Sequence, residues 1–153
     1  MLDIGFGTGT LTQKLYEHGC TVYGQDFSQR MIELAKVKMP KAELYQGDFT
    51  KGLVETLKQN RYDAIVATYS LHHLTDAEKV VFIENLRPLL NDGGKIYIGD
   101  VAFPNRVQME ACRADAGDEW DGDEIYFVVD ELQARFPQMR FEPLSYCSGV
   151  LTL

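Results

Sequence analysis

The chain has 153 residues, 45% of them hydrophobic and 25% charged, which is typical of one folded domain with a sizeable core. Its formal net charge of −8 argues against a nucleic-acid backbone as partner, because phosphate binding requires basic patches. The sequence contains no apolar run long enough to cross a bilayer. Three widely spaced cysteines fit neither a disulfide framework nor a zinc site, so we expect a reducing, cytoplasmic location.

Short apolar strands alternate with amphipathic helices in the first two thirds of the chain, which predicts a parallel sheet built from strand–helix units. The strands are predicted at residues 1–4, 21–24, 42–46, 62–68 and 95–100. Leu11 and Leu15 mark the predicted apolar face of the first helix. Ser28 is the predicted N-cap of the second helix, which ends before Pro40.

Cap and turn residues place the later elements. Thr75-Asp76-Ala77-Glu78 is a capping box that predicts a helix start, and Gly93-Gly94 is predicted to close that helical unit. Two further helices are predicted over 106–116 and 130–136, followed by a closing hairpin of 140–146 with 149–153. No linker divides the chain, so we expect one domain over residues 1–153. The first strand is short, and we expect further residues before Met1.

A glycine-rich turn, Gly5-Phe6-Gly7-Thr8-Gly9, follows the first strand and predicts a ligand site at a helix N-terminus. It departs from the dinucleotide fingerprint G-x-G-x-x-G, because Thr10 stands where the third glycine belongs. Asp3 precedes the turn, and its carboxylate would repel a pyrophosphate. The turn therefore favours a ligand that carries positive charge, such as an amine or a sulfonium.

Four signals in chain order resemble the class I S-adenosylmethionine-dependent methyltransferases. They are the glycine motif that begins at Asp3, Asp26 after the second strand, Gly47-Asp48-Phe49 after the third, and "LLNDGGKIYIGD" leading into the fifth. "TYSLHHLTD" and "IGDVAF" are similar to a small bacterial branch whose acceptors are mostly unassigned. The resemblance covers residues 2 to 101.

The resemblance implies an α/β fold with a doubly wound, mainly parallel seven-stranded sheet, helices on both faces and an antiparallel last strand. It also implies transfer of the sulfonium methyl group of S-adenosyl-L-methionine to a small-molecule acceptor, with S-adenosyl-L-homocysteine as the other product. Members commonly carry an N-terminal helical portion over the cofactor, and we expect that portion before Met1.

By the same resemblance, eleven residues at the carboxyl ends of strands are candidates for binding the cofactor. They are Asp3, Gly5, Gly7, Gly9, Asp26, Phe27, Met31, Asp48, Phe49, Thr68 and Tyr69. Asp3 would accept from the ammonium group, Asp26 from both ribose hydroxyls and Asp48 from the adenine amino group. Thr68 and Tyr69 would line the methyl end. Simpler roles stay open for three of them, since Met31 fits core packing, Asp48 fits a turn and Asp26 fits a helix cap, although Ser28 already serves as that cap.

His72 and Asp100 are the candidate catalytic residues. His72 and His73 are adjacent and cannot form an i, i+4 metal pair, so no metal site is predicted. One histidine is predicted to bond the backbone of the loop after the fourth strand, and His72 is the candidate base toward the acceptor. Asp100 fits acceptor contact and loop capping equally well.

The segment "DAGDEWDGDEIYF", residues 115–127, combines six carboxylates with three aromatic rings. It is either a solvated loop pinned to the core by its aromatic residues or a pocket for an amine, a thiol or another neutral-to-cationic acceptor that approaches past Trp120. The sequence lacks the [DN]-P-P-[YF] motif of nucleic-acid and glutamine N-methylation. Two alternative functions stay open, a non-catalytic S-adenosylmethionine-binding module and an NAD-dependent oxidoreductase. Nothing indicates the oligomeric state.

Overall fold

The computed structural model describes all 153 residues, and its eight strands alternate with six α-helices for most of the chain. The strands are β1 (Leu2–Ile4), β2 (Tyr23–Asp26), β3 (Glu43–Gln46), β4 (Tyr62–Thr68), β5 (Leu90–Phe103), β6 (Phe127–Val128), β7 (Arg140–Pro143) and β8 (Ser148–Thr152). The helices are α1 (Thr10–Glu17), α2 (Gln29–Lys38), α3 (Glu55–Lys58), α4 (Asp76–Leu86), α5 (Arg106–Ala116) and α6 (Val129–Gln133). No helix has the length and apolarity needed to cross a membrane.

The sheet has the strand order β3-β2-β1-β4-β5-β8-β7, and the short β6 pairs with β5 outside this path. β1, β2, β3, β4 and β5 are mutually parallel, whereas β8 lies antiparallel between β5 and β7. The predicted mainly parallel sheet with an antiparallel last strand is therefore confirmed. β1 reverses the winding direction, because β2 and β4 flank it, and such a switch point opens a crevice at the carboxyl ends of the strands.

Several local predictions are confirmed by the structure. The predicted boundaries of β4 and α5 match the observed ones. The capping box forms, since the Thr75 amide donates to Glu78 Oε2 at 2.8 Å and the Glu78 amide donates to Thr75 Oγ1 at 3.3 Å. The closing hairpin forms from β7 and β8. The predicted second strand begins two residues too early, and α6 ends before the predicted boundary.

Two predictions about local packing are wrong. Leu11 is 41% exposed, whereas Thr12 is the buried residue of α1, because its hydroxyl donates a hydrogen bond to the buried carboxylate of Asp3. The glycines at 93 and 94 do not close an element, because β5 runs through them from Leu90 and its pairing with β4 shifts register there. A Cβ on Gly94 would lie 2.9 Å from the Tyr62 carbonyl oxygen, so this close pairing requires glycine.

Candidate functional site

The glycine turn leads from the carboxyl end of β1 into α1, and its three glycines all have left-handed backbone angles. The φ angles are 72° at Gly5, 55° at Gly7 and 72° at Gly9. A Cβ on Gly5 would lie 2.7 Å from the Ser70 Cβ, and one on Gly9 would lie 2.8 Å from a methyl carbon of Met39. A Cβ on Gly7 would meet no atom within 4 Å. The outer glycines thus let the turn pack on the protein, while the middle one faces open space that a ligand can use.

Asp26 ties the end of β2 to this turn. Its side chain is buried, with Oδ2 accepting from the Gly7 amide at 2.8 Å and Oδ1 accepting from the Ser28 amide at 2.9 Å. A carboxylate oxygen can accept two hydrogen bonds and each of these accepts one, so both oxygens keep acceptor capacity. The Asp26 carboxylate is therefore held in a fixed position beside the open face of the turn.

Asp3 lies at the base of the turn and is 1% exposed. One carboxylate oxygen accepts from the Thr12 hydroxyl, and Oδ1 has no hydrogen-bond partner. Burial, with a smaller contribution from the charge of Asp26, raises the pKa of Asp3 to about 6. A buried carboxylate oxygen without a partner is costly, and a cationic hydrogen-bond donor would offset that cost.

Three predicted residues lie beside the crevice, and two of them are largely exposed. Phe27 follows Asp26 and is 70% exposed, and Tyr69 follows β4 and is 63% exposed. Tyr69 has a φ of 49°, the one positive value at a non-glycine residue, and its amide donates to the Gly99 carbonyl at 2.8 Å. Thr68, just before it, is half-buried. These side chains lie beside the ends of β2 and β4, where the resemblance places the ribose and the methyl group.

The predicted residues after β3 are engaged with the protein itself. The Asp48 carboxylate accepts from the Thr50 amide at 3.0 Å and hydroxyl at 2.6 Å, and these bonds lower the pKa of Asp48. Phe49 is buried in the main core, with its ring centroid 6.0 Å from that of Phe82. Met31, at the start of α2, is half-buried, so both of its predicted roles stay open.

The structure brings the two candidate catalytic residues together, His72 from the turn after β4 and Asp100 from within β5, which continues past its predicted end to Phe103. The His72 Nδ1 lies 2.8 Å from Asp100 Oδ1, and both side chains are buried. Asp100 also accepts from the Leu71 amide at 3.2 Å and the Val101 amide at 2.8 Å, so it caps the turn after β4. The predicted bond of one histidine ring to loop backbone is replaced at His72 by this bond to a carboxylate. On the other side of the ring, Nε2 lies 3.3 Å from Glu124 Oε1.

The segment 115–127 is anchored by its aromatic residues. The Trp120 ring meets that of Tyr126 edge to face, with centroids 4.9 Å apart, and both pack near Phe103. Lys79 is 1% exposed, and its ammonium donates to the Ile125 carbonyl at 2.5 Å. Pinning to the core is thus the role that these contacts support, and acceptor contact at Trp120 stays a prediction.

Two neighbours of the site have no signal in the sequence. The Ser70 hydroxyl donates to the Ile4 carbonyl at 3.1 Å, and its Cβ is the atom that would clash with a side chain at position 5. Glu124 reaches His72 only through the fold, since many residues separate them in the chain. Residue spacing in the sequence reveals partners on one helix or one loop, but not two residues that are distant in the chain and meet only in the fold.

Comparison with known proteins gives a consistent result over most of the chain. Residues 1–94 match the family model described as a methyltransferase domain. An uncharacterized methyltransferase of Geobacillus thermodenitrificans is 40% identical over 150 residues, which cover 92% of this chain and 68% of the relative. One from Anoxybacillus flavithermus is 47% identical over 116 residues, which cover 76% of this chain and 53% of the relative. The chain spans about half to two thirds of the length of these relatives.

Solved structures share the fold at low sequence identity. The DhpI-SAM-HEP complex superposes with a TM-score of 0.76 at 20% identity, covering 99% of this chain and 76% of that one. Magnesium protoporphyrin IX methyltransferase from Synechocystis with bound SAH gives a TM-score of 0.73 at 18% identity, covering 99% of this chain and 71% of that one. The sheet and its crevice are therefore an architecture that these proteins have in common.

Proposed function

This chain belongs to the methyltransferase-domain family, and from that membership we propose that it binds S-adenosylmethionine and transfers the methyl group to a small-molecule acceptor. The observation that carries the proposal is the unpartnered Oδ1 of buried Asp3 at the base of the glycine turn. The ligand's ammonium group would supply the missing donor and the compensating charge. A pyrophosphate would bring negative charge to the same place, so family and site both disfavour the NAD-dependent alternative.

The remaining groups around the crevice support the same ligand. The open space at Gly7 lets the amino-acid part of the ligand lie close to the backbone. Asp26 has acceptor capacity for the two ribose hydroxyls. The exposed ring of Phe27 stands next to Asp26, where it can cover the adenine. Asp48 already accepts from Thr50, so its further bond to the adenine amino group would use a remaining lone pair.

When bound, the cofactor supplies an electrophilic methyl group on a positively charged sulfur. The residues of this chain then act mainly by holding the two reactants in line and excluding water. Asp100 fixes the ring of His72 through Nδ1, and Glu124 lies against Nε2. A proton accepted from the acceptor by His72 would therefore require the Glu124 side chain to move, so we assign His72 a supporting role in turnover.

The acceptor we propose is small and neutral to cationic. Six carboxylates lie in 115–124. One of them, Glu124, lines a cavity with the half-buried Trp120 and Tyr126, and Asp76, Arg106 and Arg113 also border this cavity. A screen of amines, thiols and anionic metabolites by S-adenosylhomocysteine release tests this proposal, with Trp120→Ala as the matched variant. Turnover only with polyanions would contradict the acceptor class, and no turnover with any acceptor would favour the non-catalytic binding module.

We expect the affinity for S-adenosylhomocysteine, measured by calorimetry, to rise about tenfold between pH 5 and pH 7. The raised pKa of Asp3, about 6, makes the carboxyl neutral at the lower pH and charged at the higher one, and only the charged form attracts an ammonium group. Asp3→Asn should bind more weakly and lose this dependence. NADH serves as the ligand control, and an affinity for NADH equal to that for S-adenosylhomocysteine would contradict the proposal.

A further inference from the structure

Two histidines in the turn after β4 and a glutamate in the segment before β6 form a compact group. We call His72, His73 and Glu124 the histidine cluster, and one ligand atom from each lies within 4.8 Å of the others. His72 is buried, Glu124 is half-buried and His73 is exposed, so the group opens to solvent on one side. Imidazole nitrogens and a carboxylate are the ligand set of many catalytic zinc sites.

We propose that the histidine cluster binds one zinc ion, with His72 Nε2, a ring nitrogen of His73 and a carboxylate oxygen of Glu124 as ligands. The inference goes beyond methyl transfer, because metal affinity is a property of the chain that is measured without cofactor or acceptor.

The geometry between His72 and Glu124 fits this ion. With zinc–ligand bonds of about 2.0–2.1 Å, a tetrahedral ion holds its ligand atoms about 3.3 Å apart. The distance from His72 Nε2 to Glu124 Oε1 is 3.3 Å. The ring of His73 meets that of His72 edge to face, with centroids 4.3 Å apart, and its ligand atom lies within 4.8 Å of the other two, so this exposed ring would have to turn to reach the same ion. Three protein ligands leave a fourth position for water or a substrate atom.

Asp100 provides the orientation that a ligating histidine needs. It is 1% exposed and holds His72 Nδ1 at 2.8 Å, which fixes the ring and directs Nε2 toward Glu124. Histidines that bind metals commonly donate their other ring N–H to a carboxylate, which also strengthens them as ligands. The amides of Leu71 and Val101 hold Asp100 in turn.

The charge of the group also favours a divalent cation. The carboxylates of Asp100 and Glu124 flank a single buried imidazole ring, with Asp100 on one nitrogen and Glu124 on the other. A zinc ion with neutral histidines would balance the two carboxylate charges, which burial otherwise makes costly. The Ile125 amide already donates to the His72 carbonyl at 2.8 Å, so a bound metal would add a second link between the segment 115–127 and the turn after β4, next to the proposed acceptor site.

Zinc titration of the full chain tests the proposal. The protein is freed of any histidine tag, stripped with a chelator and titrated in the presence of a chromophoric competitor. We expect one zinc per chain, and we expect His73→Ala and Glu124→Gln each to lower the affinity at least about 10-fold. Asp100→Asn should lower it about 10–100-fold, the range for a residue that positions a ligand. Circular dichroism checks that each variant is folded.

Matched controls separate the histidine cluster from other groups of the same kind. His18→Ala removes the third histidine of the chain, which is exposed just after α1, and Glu119→Gln removes an exposed carboxylate of the same acidic segment. Both should bind zinc as the wild type does. The Co²⁺ form should show tetrahedral absorption without a sulfur charge-transfer band, which excludes the cysteines as ligands. The proposal would be overturned if the protein did not bind one equivalent of zinc, or if the wild type and Glu124→Gln bound zinc with equal affinity. The contact between His72 and Glu124 would then be an ion pair only.

Discussion

Replacing Asp26 by alanine is expected to weaken the binding of S-adenosylhomocysteine about 30-fold, equivalent to about 2 kcal/mol. The carboxylate is the proposed acceptor for both ribose hydroxyls, and these bonds are charge-assisted. It also accepts from the Gly7 amide at 2.8 Å, so its removal loosens the glycine turn, which stays tied to β2 by the bond from the Gly5 amide to the Gln25 carbonyl. The measurement is calorimetric titration at pH 7, where the Asp3 carboxyl is ionised as well.

The control for Asp26→Ala is Asp92→Ala. Asp92 is an exposed carboxylate near the start of β5, at the opposite end of the sheet from the crevice, so its loss changes the net charge by the same amount. We expect unchanged affinity in this variant. An Asp26→Ala protein that is folded and binds as tightly as the wild type would show that the ribose hydroxyls have another partner.

Alanine at Gly5 should mainly lower stability, whereas alanine at Gly7 should mainly lower cofactor affinity. At Gly5 the methyl group would lie 2.7 Å from the Ser70 Cβ, and the φ of 72° is unfavourable for any side chain. We expect Gly5→Ala to lower the free energy of unfolding by about 3 kcal/mol, from left-handed strain and overpacking together. At Gly7 only the strain applies, about 1 kcal/mol, and the new methyl group projects into the proposed ligand space. Gly7→Ala should therefore lose mainly cofactor affinity.

Denaturant unfolding of both variants, with calorimetry on each, distinguishes these effects. Ser70→Gly removes the Cβ that Gly5→Ala would meet, so the double variant should recover part of the lost stability in a double-mutant cycle. Equal loss of stability in Gly5→Ala and Gly7→Ala would mean that backbone strain alone, and not the contact with Ser70, requires glycine at position 5.

The sequence predicts elements whose signal is local. The apolar run of β4 and the capping box at Thr75 depend on neighbouring residues, and both were located correctly. The buried face of α1 is predicted wrongly. Thr12 is a polar residue, so hydrophobic periodicity does not reveal that it turns inward to bond the buried carboxylate of Asp3. The predicted β5 starts too late, because two adjacent glycines normally interrupt a strand. Here they lie within β5, where its pairing with β4 shifts register.

The residues of the candidate site also differ in how far the sequence predicts them. Asp3 lies in β1, Asp26 ends β2 and the glycines follow β1, and their spacing together with the family resemblance predicts their place in the cofactor site. Asp100 and His72 were identified separately, but their hydrogen bond depends on the adjacency of β4 and β5 and on the rotamer of the ring. Glu124 was not identifiable, since its place beside His72 comes from the packing of the segment 115–127 on Lys79 and Phe103.

The position of β1 has a consequence for the order in which the molecule folds. β1 has three residues, and both of its neighbours come later in the chain: Leu2 pairs with Tyr23 on one side and with Ile65 on the other. The pairing of Leu2 with Ile65 closes a long loop, and this closure costs entropy before any contact is gained. We therefore expect β1 to become ordered only after β4 has formed. The glycine turn, which starts where β1 ends, is then among the late parts of the structure to form. Ligand captured by this turn would stabilise the native state over partly folded ones, and would slow unfolding more than it speeds folding.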